Sequence, residues 1–249
     1  MEGGRILRDS QIIILGVCIA VATIVASMIF SSGALKIMKF TREQISVTGS
    51  ATKEIRSDYV IWSGSFSRRE KDLKTAYKGL KEDLDKVKQY LTAKGIDSKE
   101  IIVSQISTST IYKKNDKGND TNEIQWYCLN QSIEIRSKDV ESVTTVSRES
   151  TELIEQGVEF FSSTPQYFYT KLDELKLEML AKASENAKQR AENMVKAAGN
   201  KIGFMRNAKM GVFQITSVTS TDVSDWGIND TTSLDKKVMA VVTASFAIE

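Results

Sequence analysis

The first strong pattern along the chain is an uninterrupted apolar segment. Residues 12–30 are nineteen consecutive uncharged and mostly apolar residues. A helix of this length spans roughly 28 Å, about the thickness of the hydrocarbon core of a bilayer. Cleaved signal peptides usually have a shorter apolar region, about 7–15 residues. The segment therefore predicts an uncleaved signal anchor, with cleavage after Ala34 as the alternative.

Two periodicities alternate through the rest of the chain. Spacing of three and four residues predicts amphipathic helices at about 73–91, 140–154 and 172–198, each followed by a glycine. Period-two segments predict strands; they lie at about 44–49, 59–67, 101–112, 123–136, 158–161, 205–217 and 237–248. Strands in which apolar and polar residues alternate have one face covered by a core and one face open to solvent. This predicts an α+β fold, a two-lobed body of mostly antiparallel sheets with helices packed on one face.

These patterns predict four segments. Residues 1–11 form the N-terminus, 12–30 a transmembrane anchor, 31–42 a linker and 43–249 a domain. Basic residues flank the apolar segment on both sides, so the positive-inside rule does not decide the orientation of the anchor.

The last strand and the loop before it are the candidate interaction site. The strand alternates up to its end, which would allow it to lie at a sheet edge and pair with a second chain; the alternative is a central position. Met239 and Val241 lie on its second face. In the preceding loop, 219–237, Trp226 lies among Asp, Ser and Thr residues and has no local core, so it either contacts another subunit or folds back onto the body. We predict Trp226, Met239 and Val241 as oligomer contacts.

Composition and charge exclude several function classes. The chain has 34 Lys and Arg against 32 Asp and Glu, so nothing in the balance favours nucleic-acid binding. It has no histidine, which excludes His-dependent catalysis and imidazole metal sites. Its two cysteines, Cys18 and Cys128, lie one in the apolar segment and one in a strand, so we expect no disulfide. Four aspartates in loop 219–237 lack the spacing of a calcium-binding loop. We expect no enzymatic activity, metal or cofactor.

Three stretches, in order, resemble the SIMPL-domain family. The opening of the family's domain resembles residues 45–51 (ISVTGSA) and the strand near Asp58. The segment in which the family's first helix ends and a strand follows resembles residues 91–109. Residues 175–203 are similar to the family's alanine-rich helix. The resemblance covers about 43–249. The sequence departs from the family pattern in lacking a proline before Asp58 and in having an anchor-like N-terminus.

The family includes the periplasmic 26/28-kDa immunogenic proteins of Gram-negative bacteria. The resemblance implies an extracytoplasmic domain without established enzymatic activity, and relatives that form ring-like or channel-like homo-oligomers or are linked to envelope and oxidative stress. It thus implies that residues 1–11 are cytoplasmic and that 43–249 are extracytoplasmic. The sequence therefore predicts a membrane-anchored, self-assembling envelope protein with a scaffold or stress role. The alternatives are a module that binds an envelope partner protein or ligand through loop 219–237, and an enzyme that uses carboxylates or Cys128.

Overall fold

One long helix, α1 (Gly3–Arg42), precedes the body of the protein. The computed structural model describes the backbone from Gly3 to Glu249 and the side chains of residues 15–34 and 43–249. Within α1 the segment Leu15–Ala34 is long and apolar enough to cross a membrane, and none of it is buried against the protein. The helix continues through residues 31–42, the predicted linker, so only Glu43 separates it from the first strand.

The body contains three further helices and eleven strands among the described residues. In chain order they are β1 (Gln44–Arg56), β2 (Tyr59–Glu70), α2 (Leu73–Ala93), β3 (Ile101–Val103), β4 (Ser107–Lys114), β5 (Asp120–Ser137), α3 (Val140–Glu149), β6 (Glu159–Ser162), β7 (Gln166–Phe168), α4 (Leu172–Ala197), β8 (Ile202–Met210), β9 (Gln214–Ser217), β10 (Ile228–Asn229) and β11 (Asp235–Ile248). This is the predicted α+β class.

The described residues form two compact units. The first comprises residues 1–50, 182–211 and 241–249, and the second comprises 51–181 and 212–240. Because the boundaries fall inside β1, α4 and β11, each of these elements contributes residues to both units.

The second unit has its main core on one face of an antiparallel sheet. The strand order is β3-β5-β2-β6, with β4 added to β5 and β7 added to β2. Alternate β2 side chains, Val60, Trp62 and Phe66, are fully buried in a core that includes Leu80 and Leu91 of α2. The period-two pattern predicted this face, and the structure confirms it.

The first unit packs α4 onto a sheet in which β1 and β8 flank the end of β11. Its core is formed by a few small and medium side chains, including Val47, Ala187 and Phe246. A Cβ atom added at Gly49 would lie 2.3 Å from the Ala183 carbonyl oxygen and the Ala187 nitrogen. Glycine on β1 and the small alanine side chains of α4 therefore allow the strand and helix backbones to approach closely.

The expected edge position of β11 is wrong. β1 pairs with one edge of β11, while β8 and β9 pair with the other. Its backbone groups are thus used within the chain, and β11 offers no free edge to a second copy.

Candidate functional site

The loop 219–237, here called the Trp226 loop, connects β9 to β11 and includes β10. A buried side chain of β9 fixes its first half: the Gln214 amide nitrogen donates to the Ser224 carbonyl oxygen at 2.7 Å, and the Ser224 N–H donates to the Gln214 amide oxygen at 3.3 Å. This reciprocal pair holds the loop to the sheet two residues before Trp226.

Asp230 fixes the second half of the loop. Its carboxylate accepts the backbone N–H of Thr232 at 2.7 Å, the Thr232 hydroxyl at 2.8 Å and the backbone N–H of Ser233 at 3.2 Å. Burial by itself would raise the pKa of this carboxyl, but the Ser233 and Thr232 donors outweigh it and lower the pKa to about 2. Asp230 therefore stays ionised and closes this turn at neutral pH.

Beneath Asp230 lies a buried lysine. Lys236 is 3% exposed, and its ammonium group donates to the Tyr167 carbonyl oxygen at 2.5 Å. Burial lowers the pKa of Lys236, and the nearby Asp230 carboxylate opposes that shift. The Tyr167 N–H in turn donates to the Thr231 carbonyl oxygen at 2.7 Å. The loop is thus joined to the sheet by a backbone hydrogen bond and by the attraction between Asp230 and Lys236.

A glycine completes the loop beside the tryptophan. Gly227 has φ +84°, and a Cβ atom there would lie 2.9 Å from the Phe213 carbonyl oxygen. A side chain at this position would be strained in φ and too close to the backbone. The next residues, Ile228 and Asn229, form β10, which pairs in parallel with β9. The chain therefore leaves Trp226 on a fixed turn.

Trp226 itself is 94% exposed, the largest apolar side chain presented by this loop. Val223, 69% exposed, and Val212, which is 42% exposed and lies beside Gly227, are also open to solvent. The alternative in which Trp226 folds back onto the body is therefore wrong, and its contact with another subunit stays a prediction. An indole on a rigid support is the kind of side chain that forms hot spots in protein interfaces.

The groove beside Trp226 is small. It has a volume of about 240 Å³ and is lined in part by Leu172, Lys176 and Ile215. Pockets for small-molecule ligands are usually about 300–1,000 Å³. The shape suits a side chain from a partner surface better than a bound metabolite.

Met239 and Val241 do not extend this surface. Met239 is half-buried on β11, on the opposite face from Val238, and Val238 pairs with the groove residue Ile215. Val241 belongs to the first unit and is also half-buried. Their role as oligomer contacts stays a prediction. It can no longer be argued from an edge position of β11, because that strand is central in its sheet.

The aspartates of the Trp226 loop do not converge on a point. Asp230 closes its own turn, Asp222 accepts from the Ser220 hydroxyl at 3.0 Å, and Asp235 pairs with Arg56 at 3.2 Å. No group of three His, Cys, Asp or Glu that could hold a metal exists among the described residues. Cys128 is a half-buried free thiol on β5, and Cys18 is exposed on α1.

Sequence reasoning missed two of the residues that hold the loop, Gln214 and Lys236. A signal for Lys236 did exist, because it shares the period-two face of β11 with Val238 and Ala240, and a lysine in a buried register needs a partner. Gln214 carried no such signal, because its bonds to Ser224 depend on the path of the loop.

Comparison with known proteins agrees with the resemblance drawn from the sequence. The family model SIMPL, described as "Protein of unknown function (DUF541)", matches residues 45–246. No curated protein matches the chain.

Proposed function

The chain belongs to the SIMPL family, and on that premise we propose that it is a membrane-anchored, self-assembling protein outside the cytoplasm. Its role is that of a non-enzymatic envelope scaffold, or a stress-related factor acting in the same way. The observation that carries the proposal is the almost complete exposure of Trp226 on a loop fixed by Gln214 and Asp230. The occupant proposed for this surface is a second copy of the chain.

Two physical arguments support assembly through the Trp226 loop. A rigid loop loses little conformational entropy on association, so more of the interaction free energy appears as affinity. Anchoring by Leu15–Ala34 would also confine the chains to a membrane, which raises their effective concentration without any new contact.

The proposed location is supported by the one apolar helix found among the described residues, which lies near the N-terminus, together with the envelope location implied by the resemblance. A reporter enzyme that works only outside the cytoplasm, fused after Glu249, should be active. Activity of a cytoplasm-specific reporter at the same position would reverse the proposed orientation.

The assembly proposal is tested by replacing the indole. Trp226→Ala should lower the association constant of the full chain by about 30-fold or more, because hot-spot truncations cost about 2 kcal/mol or more. Thermal stability should barely change, since surface truncations away from buried features usually stay within about 0.5 kcal/mol. Sedimentation velocity in detergent measures the assembled fraction, and circular dichroism measures the fold.

Phe161→Ala is the matched control, because Phe161 is also a largely exposed aromatic of the second unit but lies on β6. It should leave assembly unchanged. Equal assembly of the Trp226→Ala variant and the native chain would contradict the proposal. It would favour the second candidate, recognition of an envelope partner by the same loop, for which the groove beside Trp226 is the supporting observation.

A further inference from the structure

The first unit lies very close to the end of the membrane-spanning segment. That segment ends at Ala34, and α1 continues for eight residues to Arg42, a rise of about 12 Å. Only Glu43 then separates α1 from β1. With α1 in a bilayer, the start of β1 would be held at the depth of the lipid headgroups or just above them.

Charge is distributed unevenly between the two units. The first unit after α1, residues 43–50, 182–211 and 241–249, carries seven Lys and Arg against four Asp and Glu. The second unit carries 22 Lys and Arg against 26 Asp and Glu. The part of the body next to the anchor is thus basic, while the rest is acidic. A basic surface is attracted to anionic lipid over about one Debye length, about 8 Å at physiological salt.

The edge strand β8 combines this charge with exposed apolar side chains. Among the described strands it pairs with β11 alone, so its other edge is open. Phe204 is 57% exposed, Met205 46% and Met210 56%. Lys201 lies just before β8 and Lys209 within it, and both are exposed. Lys209 and Met210 pair in register with consecutive residues of β11, so they point to opposite faces of β8 and share only its open edge. Aromatic and thioether groups interleaved with lysines are typical of protein surfaces that lie in the headgroup region of a bilayer.

We propose that β8, through Phe204, Met205 and Met210 with Lys201 and Lys209, docks the first unit onto anionic phospholipid headgroups of the membrane that holds α1. This inference rests on the anchoring part of the proposed function. Docking of β8 gives the chain a second contact with the membrane besides α1. Together the two contacts fix the orientation of the first unit on the bilayer surface.

The test uses the full chain in lipid vesicles. A nitroxide label is placed at Met205→Cys in a Cys18→Ser, Cys128→Ser background, with Met210→Cys as an independent position. Its collision rates with oxygen and with a water-soluble nickel complex report immersion. In vesicles of phosphatidylcholine with phosphatidylglycerol the label should collide mostly with oxygen, which shows immersion. In phosphatidylcholine alone or at high salt its collision rate with the nickel complex should rise.

The double variant Lys201→Glu, Lys209→Glu should lower the docked-to-undocked ratio by at least about 30-fold. The matched control is Lys114→Glu, Lys117→Glu, which makes the same change in net charge on exposed residues of the second unit and should leave the ratio unchanged.

Three results would overturn the inference. An aqueous label in anionic vesicles, with the chain still resistant to alkaline carbonate extraction, refutes docking and leaves anchoring intact. Strong dipolar coupling between labels without immersion shows that a second copy covers β8 instead. Extraction of the whole chain by carbonate refutes the anchor, and the docking inference falls with it.

Discussion

At the scale of single residues, ionisation of Asp230 holds the Trp226 loop in place. Its pKa of about 2 in the folded chain lies below the ordinary 3.8. A depressed carboxyl pKa contributes stability that is fully present above the unfolded value and is lost as pH falls through the folded value. The contribution should therefore disappear between about pH 4 and pH 2, as the carboxylate facing Lys236 and accepting from Thr232 and Ser233 is protonated.

Asp230→Asn tests this directly, because it keeps one acceptor oxygen and removes the charge. We expect the variant to lose about 1–2 kcal/mol of unfolding free energy at pH 6, and this difference should shrink toward zero near pH 2. Urea titrations of both proteins across this range give the measurement. A difference that does not depend on pH would show that the charge of Asp230 contributes nothing to the loop.

At the scale of elements, the order of helices and strands could be predicted because each element has one buried face. The second strand, for example, was readable from Val60, Trp62 and Phe66, all of which are buried. The breaks inside predicted strands could not be read in this way. The predicted strand 101–112 is interrupted between β3 and β4, where the Ser104 hydroxyl accepts the Ser132 N–H and its carbonyl oxygen accepts the Gln131 amide. Such bonds join residues far apart in sequence, so no local pattern encodes them.

The start of α4 shows the same limit. Residues 170–173 have the sequence of a capping box, which would place the Thr170 hydroxyl on the helix N-terminus. In the structure the Thr170 hydroxyl and backbone N–H both donate to the Asp58 carboxylate, each at 2.7 Å. A distant carboxylate thus binds the hydroxyl that the local pattern would have used as the helix cap. Trp226 was likewise predicted as an interaction residue from its polar surroundings, whereas the bonds of Gln214 that fix its loop are non-local.

At the scale of the whole molecule, the proposed function combines family membership, the apolar helix and the exposed Trp226 in one account: a chain anchored at one end that associates with its own copies. The central position of β11 changes the expected mode of association. Because this strand is paired on both edges, a second copy cannot add a strand there, and the proposed association uses the side chains of the Trp226 loop instead.

The most direct test of this account is the protein mass of the full chain in detergent micelles, measured by light scattering with absorbance and refractive-index detection. The account predicts a discrete multiple of 27.7 kDa that persists on dilution into the low micromolar range. A protein mass of 27.7 kDa at every concentration, with the same result after reconstitution into membranes, would contradict self-assembly.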